Sequence, residues 1–283
     1  MAKPATGQYP YGHLFAAATA LALVLCVSFL QTDAAGAAAK CGNTASGFPA
    51  WKKAFAREAK AAGFQGRAVA ALLDTGYMRG TIAADRGQKS FKLSLAAFLQ
   101  KRGGDVIASR GRKLNRQHAQ LLSSIEKRYG VPPGPLLAIW GMETGFGGTM
   151  GNQNVLSAIA TLAYDCRRPE YFTDHLHAAL TLIDNGGLSP AAKGAMHGEV
   201  GQTQFLPKNI LLYGADGDGD GKVDLMGRAD ALVSTANFLA SHGWVAGEGY
   251  QPDEPNFAAI QGWNSASVYQ RAIALIGQKI DAP

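Results

Sequence analysis

An apolar helix that carries one glutamate near its end is the most constraining feature of this sequence. The run Pro135-Leu136-Leu137-Ala138-Ile139-Trp140 is apolar on every side of a helix, a pattern typical of a buried element. Prolines before and within the run suit a first helical turn, where their missing N–H groups are not needed. Glycines from Gly145 onward then end the helix. Glu143 is therefore predicted to lie in the last turn of a buried helix.

The position of Glu143 predicts a raised pKa. Apolar neighbours and the negative end of the helix dipole both disfavour the ionised carboxylate. A carboxyl group that stays protonated near neutral pH can donate a proton to a leaving oxygen, which is the role of a general acid. The alternative is a helix-end glutamate that points into water or pairs with a nearby arginine.

The rest of the sequence also indicates a mainly α fold. Residues 48–63 form an amphipathic pattern with Trp51, Phe55 and Ala59 on one face. Further helices are predicted at residues 91–100, 114–129, across much of 134–183, and at 229–242. Strand signals are scarce, and glycine-rich joints separate the helical blocks. The pattern predicts a helical core against which a second helical subregion, residues 48–125, packs.

The N-terminal segment resembles a targeting signal. Residues 14–30 are a largely apolar run of seventeen residues, followed by an alanine-rich tract that ends at Ala39. Residues 1–39 are therefore predicted to be a secretory signal peptide, cleaved before Lys40 to give a soluble, exported chain of residues 40–283. An uncleaved membrane anchor is the alternative, because the run approaches the ~18 residues that a spanning helix needs.

Cysteine usage agrees with export. Cys26 lies inside the predicted signal, so Cys41 and Cys166 are the cysteines of the mature chain. Two cysteines in an oxidising compartment are most simply joined in a disulfide, and two unrelated thiols are the alternative.

An acidic loop forms a second specific pattern. It reads Asp216-Gly217-Asp218-Gly219-Asp220-Gly221-Lys222-Val223-Asp224. Carboxylates at positions 1, 3 and 5, a glycine at 6 and the backbone carbonyl of Lys222 at 7 match the start of a calcium-binding EF-hand loop. The usual closing glutamate is missing, because position 12 is Gly227. The loop is predicted to bind Ca²⁺ in a structural role, and a solvated acidic turn is the alternative.

Several motifs follow one another along the chain: Tyr129-Gly130-Val131-Pro132-Pro133, residues 141–147, 154–163, 167–172, 201–207 and 216–221, Ala229-Asp230-Ala231-Leu232, and Ala240-Ser241-His242-Gly243-Trp244. In this shared order they resemble the motifs of the lytic murein transglycosylases of the B type. The resemblance covers nearly all of residues 48–280. It implies an α+β lysozyme-like fold that is mainly α, with the lysozyme-like core at 126–283 and the EF-hand-like loop at 216–230. It also implies that Asp230 closes the calcium site.

The resemblance assigns a substrate-binding cleft as well. Gln204 is implied to contact the substrate beside Glu143, and Gln202 supplies another amide that could bind sugar hydroxyls. Asn264 and Tyr269 match an asparagine and a tyrosine that line the cleft. Trp263 stands where the family often has tyrosine, and its ring could stack on a sugar face.

Two positions depart from the family pattern. The family usually has a serine where this sequence has Ala195, so a hydrogen bond to the catalytic carboxylate is missing or comes from another group. Glu199 replaces a small residue near the cleft. Its charge could raise the pKa of Glu143 further, it could support the site, or it could face solvent.

The resemblance implies an enzyme that cleaves the bond between N-acetylmuramic acid and N-acetylglucosamine in peptidoglycan. Glu143 would act as the sole general acid and base, and the product would be a 1,6-anhydromuramic end. The net charge of +6 suits an anionic partner such as the cell wall, although ordinary solubility also explains it. A periplasmic monomer with no organic cofactor and no nucleic-acid partner is expected. The alternatives are an inactive peptidoglycan-binding scaffold and a lysozyme-like hydrolase.

Overall fold

Helices dominate the described part of the chain, which confirms the predicted mainly α fold class. The computed structural model describes residues 41–87 and 92–282, so the predicted signal peptide, Cys26 and Lys40 lie outside the described residues. The α-helices are α1 (Phe48–Ala61), α2 (Gly66–Asp74), α3 (Arg79–Arg86), α4 (Leu95–Arg102), α5 (Gly104–Gln117), α6 (Ala119–Tyr129), α7 (Pro133–Thr144), α8 (Val155–Tyr164), α9 (Pro169–Asp184), α10 (Pro207–Tyr213), α11 (Arg228–Ser241), α12 (Phe257–Trp263) and α13 (Ser267–Asp281). Two short strands, β1 (Gln153–Asn154) and β2 (Lys193–Gly194), pair antiparallel.

The predicted apolar helix is α7, the buried centre of the fold. It begins at Pro133 and ends at Thr144, and the next residue, Gly145, adopts a left-handed conformation with φ 58°. The side chains of Leu136, Leu137 and Ile139 are fully buried. Glu143 therefore lies in the last turn of α7, as predicted.

Two predicted helix boundaries differ from the structure. The helix predicted at 114–129 is two helices, because His118 leaves helical geometry (φ −117°, ψ 25°) between α5 and α6. The helix predicted at 91–100 begins at Leu95, where the side chain of Ser94 accepts a hydrogen bond from the N–H of Ala97 and caps the first turn.

Small residues bring α5 and α13 close to their neighbours. A Cβ atom at Gly141 of α7 would lie 2.4 Å from Ile107 of α5, and one at Gly111 of α5 would lie 2.5 Å from Ile280 of α13. Glycine at these positions allows the close approach of the helices. Helices of the 48–125 region thus pack directly against α7 and α13.

The N-terminal described segment is tied to the end of α8. Cys41 and Cys166 form a disulfide, which confirms the predicted pairing. Next to it, the N–H of Gly42 donates to the carbonyl of Tyr164 at 2.8 Å. No helix in the described ranges is both long and apolar enough to cross a membrane.

Buried acids hold the segment after α8 against α3. Asp85 is 3% exposed and accepts hydrogen bonds from the side chains of Arg167 and Arg168. Burial would raise the pKa of Asp85, but the two guanidinium groups outweigh burial and hold the pKa below its usual value. Arg86 in turn donates to both carboxylate oxygens of Asp165, at 2.8 and 2.9 Å.

Candidate active site

Glu143 opens onto a polar cavity of about 190 Å³. Five parts of the fold meet there: the end of α7, the start of α9, the turn at 199–206 with α10, the last turns of α11, and the end of α12. Besides Glu143, the lining residues are Tyr171, Glu199, Gln204, Phe205, Leu206, Asn209, Phe238, Trp263 and Asn264. The cavity therefore contains two carboxylates and three side-chain amides.

Two donors hold one oxygen of Glu143. The hydroxyl of Tyr269 donates to Oε1 at 2.8 Å, and the indole N–H of Trp263 donates to the same oxygen at 3.1 Å. Within residues 41–87 and 92–282, no group donates to Oε2. When the carboxyl group is neutral, its proton is therefore best placed on Oε2, because Oε1 already accepts two hydrogen bonds.

Burial raises the pKa of Glu143 to about 7. The hydrogen bonds from Tyr269 and Trp263 act in the opposite direction, because they stabilise the ionised form. The negative charge of Glu199 adds to the increase, and the guanidinium of Arg102 reduces it. The raised pKa that the sequence predicts is thus confirmed, with burial as its largest cause. At neutral pH a large fraction of Glu143 carries a proton, as a general acid requires.

Gln204 and Asn264 bring complementary amide groups to the cavity. Gln204, with φ 60°, donates through Nε2 to the carbonyl of Gly201 at 2.8 Å, which leaves Oε1 available as an acceptor. Asn264 accepts through Oδ1 from the N–H of Ala266 at 2.9 Å, which leaves its Nδ2 available as a donor. One acceptor and one donor in a cavity match the two ends of a ligand amide group.

An aromatic wall supports Trp263. Its ring packs edge-on against Phe205 and Phe238, with centroids 5.4 and 5.0 Å apart. The indole is only partly buried and lines the cavity, so Trp263 both contacts Glu143 and presents an aromatic surface to a ligand.

Tyr269 and Gln202 have positions different from those expected. Tyr269 is 2% exposed and lies beneath the cavity, where its ring packs against Phe98, so it supports Glu143 rather than lining the cleft. The amide of Gln202 accepts from the indole of Trp140 at 2.8 Å and donates to the carbonyl of Met226 at 2.9 Å. The amide of Gln202 is thus hydrogen-bonded inside the protein, and substrate binding by Gln202 stays a prediction.

Glu199, whose role the sequence left open, lies inside the cavity. Oε2 accepts from the backbone N–H of His197 at 2.9 Å, and Oε1 lies 3.0 Å from Nδ1 of the same histidine. Tyr171 and Asn209 also line the cavity and were not identified from the sequence. Tyr171 does belong to the 167–172 motif, but nothing in that motif separates a cavity residue from a packing residue.

Three carboxylates of the acidic loop converge. One oxygen each of Asp216, Asp218 and Asp230 lies within 4.8 Å of the others. Asp230 is 3% exposed, and its two oxygens accept from the N–H groups of Gly217 and Asp224 at 2.8 and 2.6 Å. Hard oxygen atoms so close together fit a Ca²⁺ ion, and closure of such a site by Asp230 stays a prediction.

Other predicted ligands of the loop lie outside this trio. Asp220 accepts from the N–H of Lys222 at 2.8 Å, and its carboxylate is not part of the cluster. Metal binding by Asp220 and by the carbonyl of Lys222 stays a prediction.

The sequence of this chain is similar to those of known proteins. Residues 47–254 match the family described as the transglycosylase SLT domain. The chain is 36% identical over 149 residues to the membrane-bound lytic murein transglycosylase B of Escherichia coli strain K12, an alignment that covers 50% of this chain and 41% of that protein. The chain thus spans about two fifths of the length of this curated relative.

Solved structures share the fold over most of the chain. SltB3 from Pseudomonas aeruginosa, in complex with NAG-NAM-pentapeptide, superposes with a TM-score of 0.76 at 29% identity and covers 83% of this chain and 80% of its own. The lytic transglycosylase Slt35 of Escherichia coli, solved in complex with calcium, has a TM-score of 0.73 at 22% identity, covering 86% of this chain and 96% of its own. These neighbours have the lysozyme-like fold that the resemblance implied.

Proposed function

The chain belongs to the transglycosylase SLT domain family, and on that premise we propose that it is a lytic transglycosylase of peptidoglycan. It cleaves the β-1,4 bond between N-acetylmuramic acid and N-acetylglucosamine and leaves a 1,6-anhydromuramic end. The observation that carries this proposal is the carboxyl group of Glu143, which has a pKa of about 7 and lies at a polar cavity with Tyr269 and Trp263 as its donors.

Glu143 acts first as an acid and then as a base. Its proton passes from Oε2 to the bridging oxygen, and the bond between that oxygen and C1 of the muramic sugar breaks. The N-acetyl group of the substrate stabilises the positive charge that develops at C1. The ionised Glu143 then takes the proton of the C6 hydroxyl as O6 bonds to C1, so the carboxyl group regains its proton. Tyr269 and Trp263 stabilise the ionised form between the two steps.

The amides of the cavity support N-acetylated sugars as the proposed substrate class. Oε1 of Gln204 can accept from the N–H of an N-acetyl group, and Nδ2 of Asn264 can donate to a carbonyl oxygen. Trp263 offers an aromatic face for a sugar ring. Two SltB3 structures contain NAG-NAM-pentapeptide and NAG-anhNAM-pentapeptide, so a relative at 29% identity binds both an intact and an anhydro muropeptide.

Calcium has a structural place in this proposal. Asp216, Asp218 and Asp230 hold the ion when it is bound, and the ion neutralises carboxylates that otherwise repel one another. None of these three residues lines the cavity of Glu143. The ion therefore stabilises the segment between α10 and α11 and takes no part in the chemistry.

The proposed substrate also indicates the cellular compartment in which the enzyme acts. The chain is proposed to act in the periplasm, after export by the N-terminal signal, as a monomer on glycan strands. The disulfide between Cys41 and Cys166 is consistent with an oxidising compartment.

The test is mass spectrometry of the muropeptides that residues 40–283 release from purified sacculi, beside the variant Glu143→Gln. We expect anhydro products, which lack one water relative to hydrolysed ends, and a loss of at least roughly a hundredfold in the variant. Gln204→Ala serves as the matched control, because it removes a binding group and leaves the acid in place.

The other outcomes decide between the alternatives. Release of hydrated ends alone, with no anhydro product, would make the protein a lysozyme-like hydrolase. No release by the wild-type chain, with sacculus binding retained, would make it a binding scaffold.

A further inference from the structure

The cavity holds a second carboxylate, which the proposed mechanism does not use. Glu199 lines the same cavity as Glu143, and its negative charge is close enough to contribute to the raised pKa of Glu143. A transglycosylation that needs only one carboxyl group gives Glu199 no proton to transfer, although its charge contributes to the pKa of Glu143.

The turn that carries Glu199 is fixed in place. The N–H of Ala195 donates to the carbonyl of Glu199 at 2.9 Å, and the next residue, Val200, exchanges two backbone hydrogen bonds with Phe205. Gly198 allows this geometry: it has φ 88°, and a Cβ atom there would lie 2.5 Å from Ile159. Glu199 is thus placed by backbone contacts that leave its carboxylate facing the cavity.

His197 orients that carboxylate. Its N–H and Nδ1 contact the two different oxygens of Glu199, and within the described ranges its buried Nε2 has no hydrogen-bond partner. The imidazole is therefore held through Nδ1 alone. Burial and the positive charge of Arg168 lower the pKa of His197. The hydrogen bond and charge of Glu199, together with the charge of Asp85, raise it and outweigh them. The raised pKa favours a positively charged imidazole beside Glu199.

We propose that Glu199 is a second catalytic residue, a general base that activates a water molecule, so that the enzyme hydrolyses a fraction of the bonds that it cleaves. The inference rests on the proposed function, because it uses the same substrate and the same acid. Hydrolysing glycosidases place an acid and a base on either side of the bond, with room for water between them. The cavity, at about 190 Å³, has room for several water molecules of ~30 Å³ each.

The hydrolytic step balances with groups already present. Glu143 gives its proton to the bridging oxygen, and the bond from C1 to that oxygen breaks. Water bonds to C1 through its oxygen, and one water proton passes to Glu199. The product is a muramic end with a hydroxyl at C1, and the two carboxyl groups return to their starting states by proton exchange with solvent. Water attack at C1 thus competes with attack by the C6 hydroxyl, and Glu199 sets the share of each.

The experiment measures this share directly. Sacculi are digested in H₂¹⁸O by residues 40–283, and mass spectrometry counts anhydro ends against ends that carry one ¹⁸O. We expect both products from the wild-type chain and a decrease of at least tenfold in the ratio of labelled to anhydro ends in Glu199→Gln. Glu199→Ala is the second variant, and the melting temperature of each variant verifies its fold. His197→Ala should also lower the ratio of labelled to anhydro ends, because His197 is a positioning residue for Glu199. If His197 had only a structural role, its substitution would change the rate of release without changing this ratio.

The outcomes separate this inference from the proposed function. Anhydro ends alone from the wild-type chain, lost in Glu143→Gln, would overturn the role of Glu199 and leave the transglycosylase intact. An unchanged ratio in both Glu199 variants would also overturn it. Labelled ends alone, with no anhydro product, would instead contradict the proposed function.

Discussion

The hydroxyl of Tyr269 donates to Oε1 of Glu143 at 2.8 Å, from a ring that is almost fully buried. This hydrogen bond stabilises the ionised carboxylate and so limits the increase in pKa that burial causes. The negative charge of Glu199 acts in the opposite direction. The protonation of Glu143 is therefore a balance that single substitutions can move either way.

Tyr269→Phe should move the alkaline limb of the pH profile of kcat/KM to higher pH. The general acid must be protonated at the start of the reaction, so activity falls as pH rises through about 7. Loss of one hydrogen bond to the ionised form raises that pKa by roughly 0.5–1. Glu199→Gln should move the same limb to lower pH, because it removes a like charge. The profiles of wild type and both variants are measured on muropeptide release, and shifts of the same sign in the two variants would contradict this balance.

Glu143→Gln should stabilise the protein at high pH and not at low pH. Between its ordinary value of 4.5 and about 7, the folded protein holds a proton that the unfolded chain releases, so stability falls as pH rises through this window. Above pH 7 the buried charge costs up to roughly 3 kcal/mol, which glutamine avoids. Urea unfolding at pH 4.5 and pH 8 measures the difference, and Glu170→Gln on the surface of α9 is the control. An equal effect of Glu143→Gln at both pH values would show that the carboxyl group is not perturbed.

The helix that presents Glu143 could be predicted from the sequence because its signals are local. Prolines at its start, glycines at its end and an unbroken apolar run define α7 without reference to any other segment. The acidic loop is similarly local, and the position of Asp230 came from the resemblance. The single helix predicted at 114–129 was wrong, because nothing in the residues around His118 signals a break between two helices.

The roles of the cavity residues depend on contacts between distant segments. Gln202 and Gln204 are two residues apart and have the same side chain, so the residues alone do not separate their roles. The amide of Gln202 is hydrogen-bonded to Trp140 and Met226, whereas Gln204 lines the cavity. Tyr269 and Glu143 are 126 positions apart. Such pairings follow from how α7, α11 and α13 pack, which periodicity along one chain cannot reveal.

Gln202→Ala should therefore affect the stability of the protein, whereas Gln204→Ala should affect substrate binding. Gln202→Ala leaves the indole N–H of the buried Trp140 without its acceptor, so we expect a loss of roughly 1–3 kcal/mol in the free energy of unfolding. Gln204→Ala should change stability little and raise KM for muropeptides several-fold. Chemical denaturation and steady-state kinetics on both variants test this. A raised KM in Gln202→Ala without loss of stability would instead support the prediction that Gln202 binds substrate.

Calcium should raise the thermal stability of the chain, and EDTA should reverse the effect. An ion that binds only the folded state stabilises it by about 2.7 kcal/mol at a concentration a hundred times its Kd. Asp230→Asn should abolish the calcium response, because it removes a buried member of the converging carboxylates. Asp253→Asn makes the same change of charge at an exposed position outside the loop and should keep the response. If calcium leaves the melting temperature of the wild-type chain unchanged, the result favours a solvated acidic turn over a calcium site.

Reduction of the disulfide should destabilise the folded chain without stopping catalysis. Cys41 and Cys166 are 125 positions apart, and a loop of about a hundred residues is worth up to roughly 4.7 kcal/mol in the chain-entropy account, with 2–4 kcal/mol typical. The Gly42–Tyr164 hydrogen bond and the 2.9 Å bond from the Tyr164 hydroxyl to the carbonyl of Thr44 do not need the disulfide, so the N-terminal attachment should persist in the folded, reduced chain. The loss of stability then comes from the freedom that the unfolded chain gains. Urea unfolding with and without dithiothreitol measures it. The variant with Cys41→Ser and Cys166→Ser should have the stability of the reduced protein, and the reductant should not change it.

Because neither cysteine lines the cavity of Glu143, the reduced protein and the double variant should both still release muropeptides at 25 °C. Loss of release from a folded, reduced enzyme would show that the N-terminal attachment also shapes the active site.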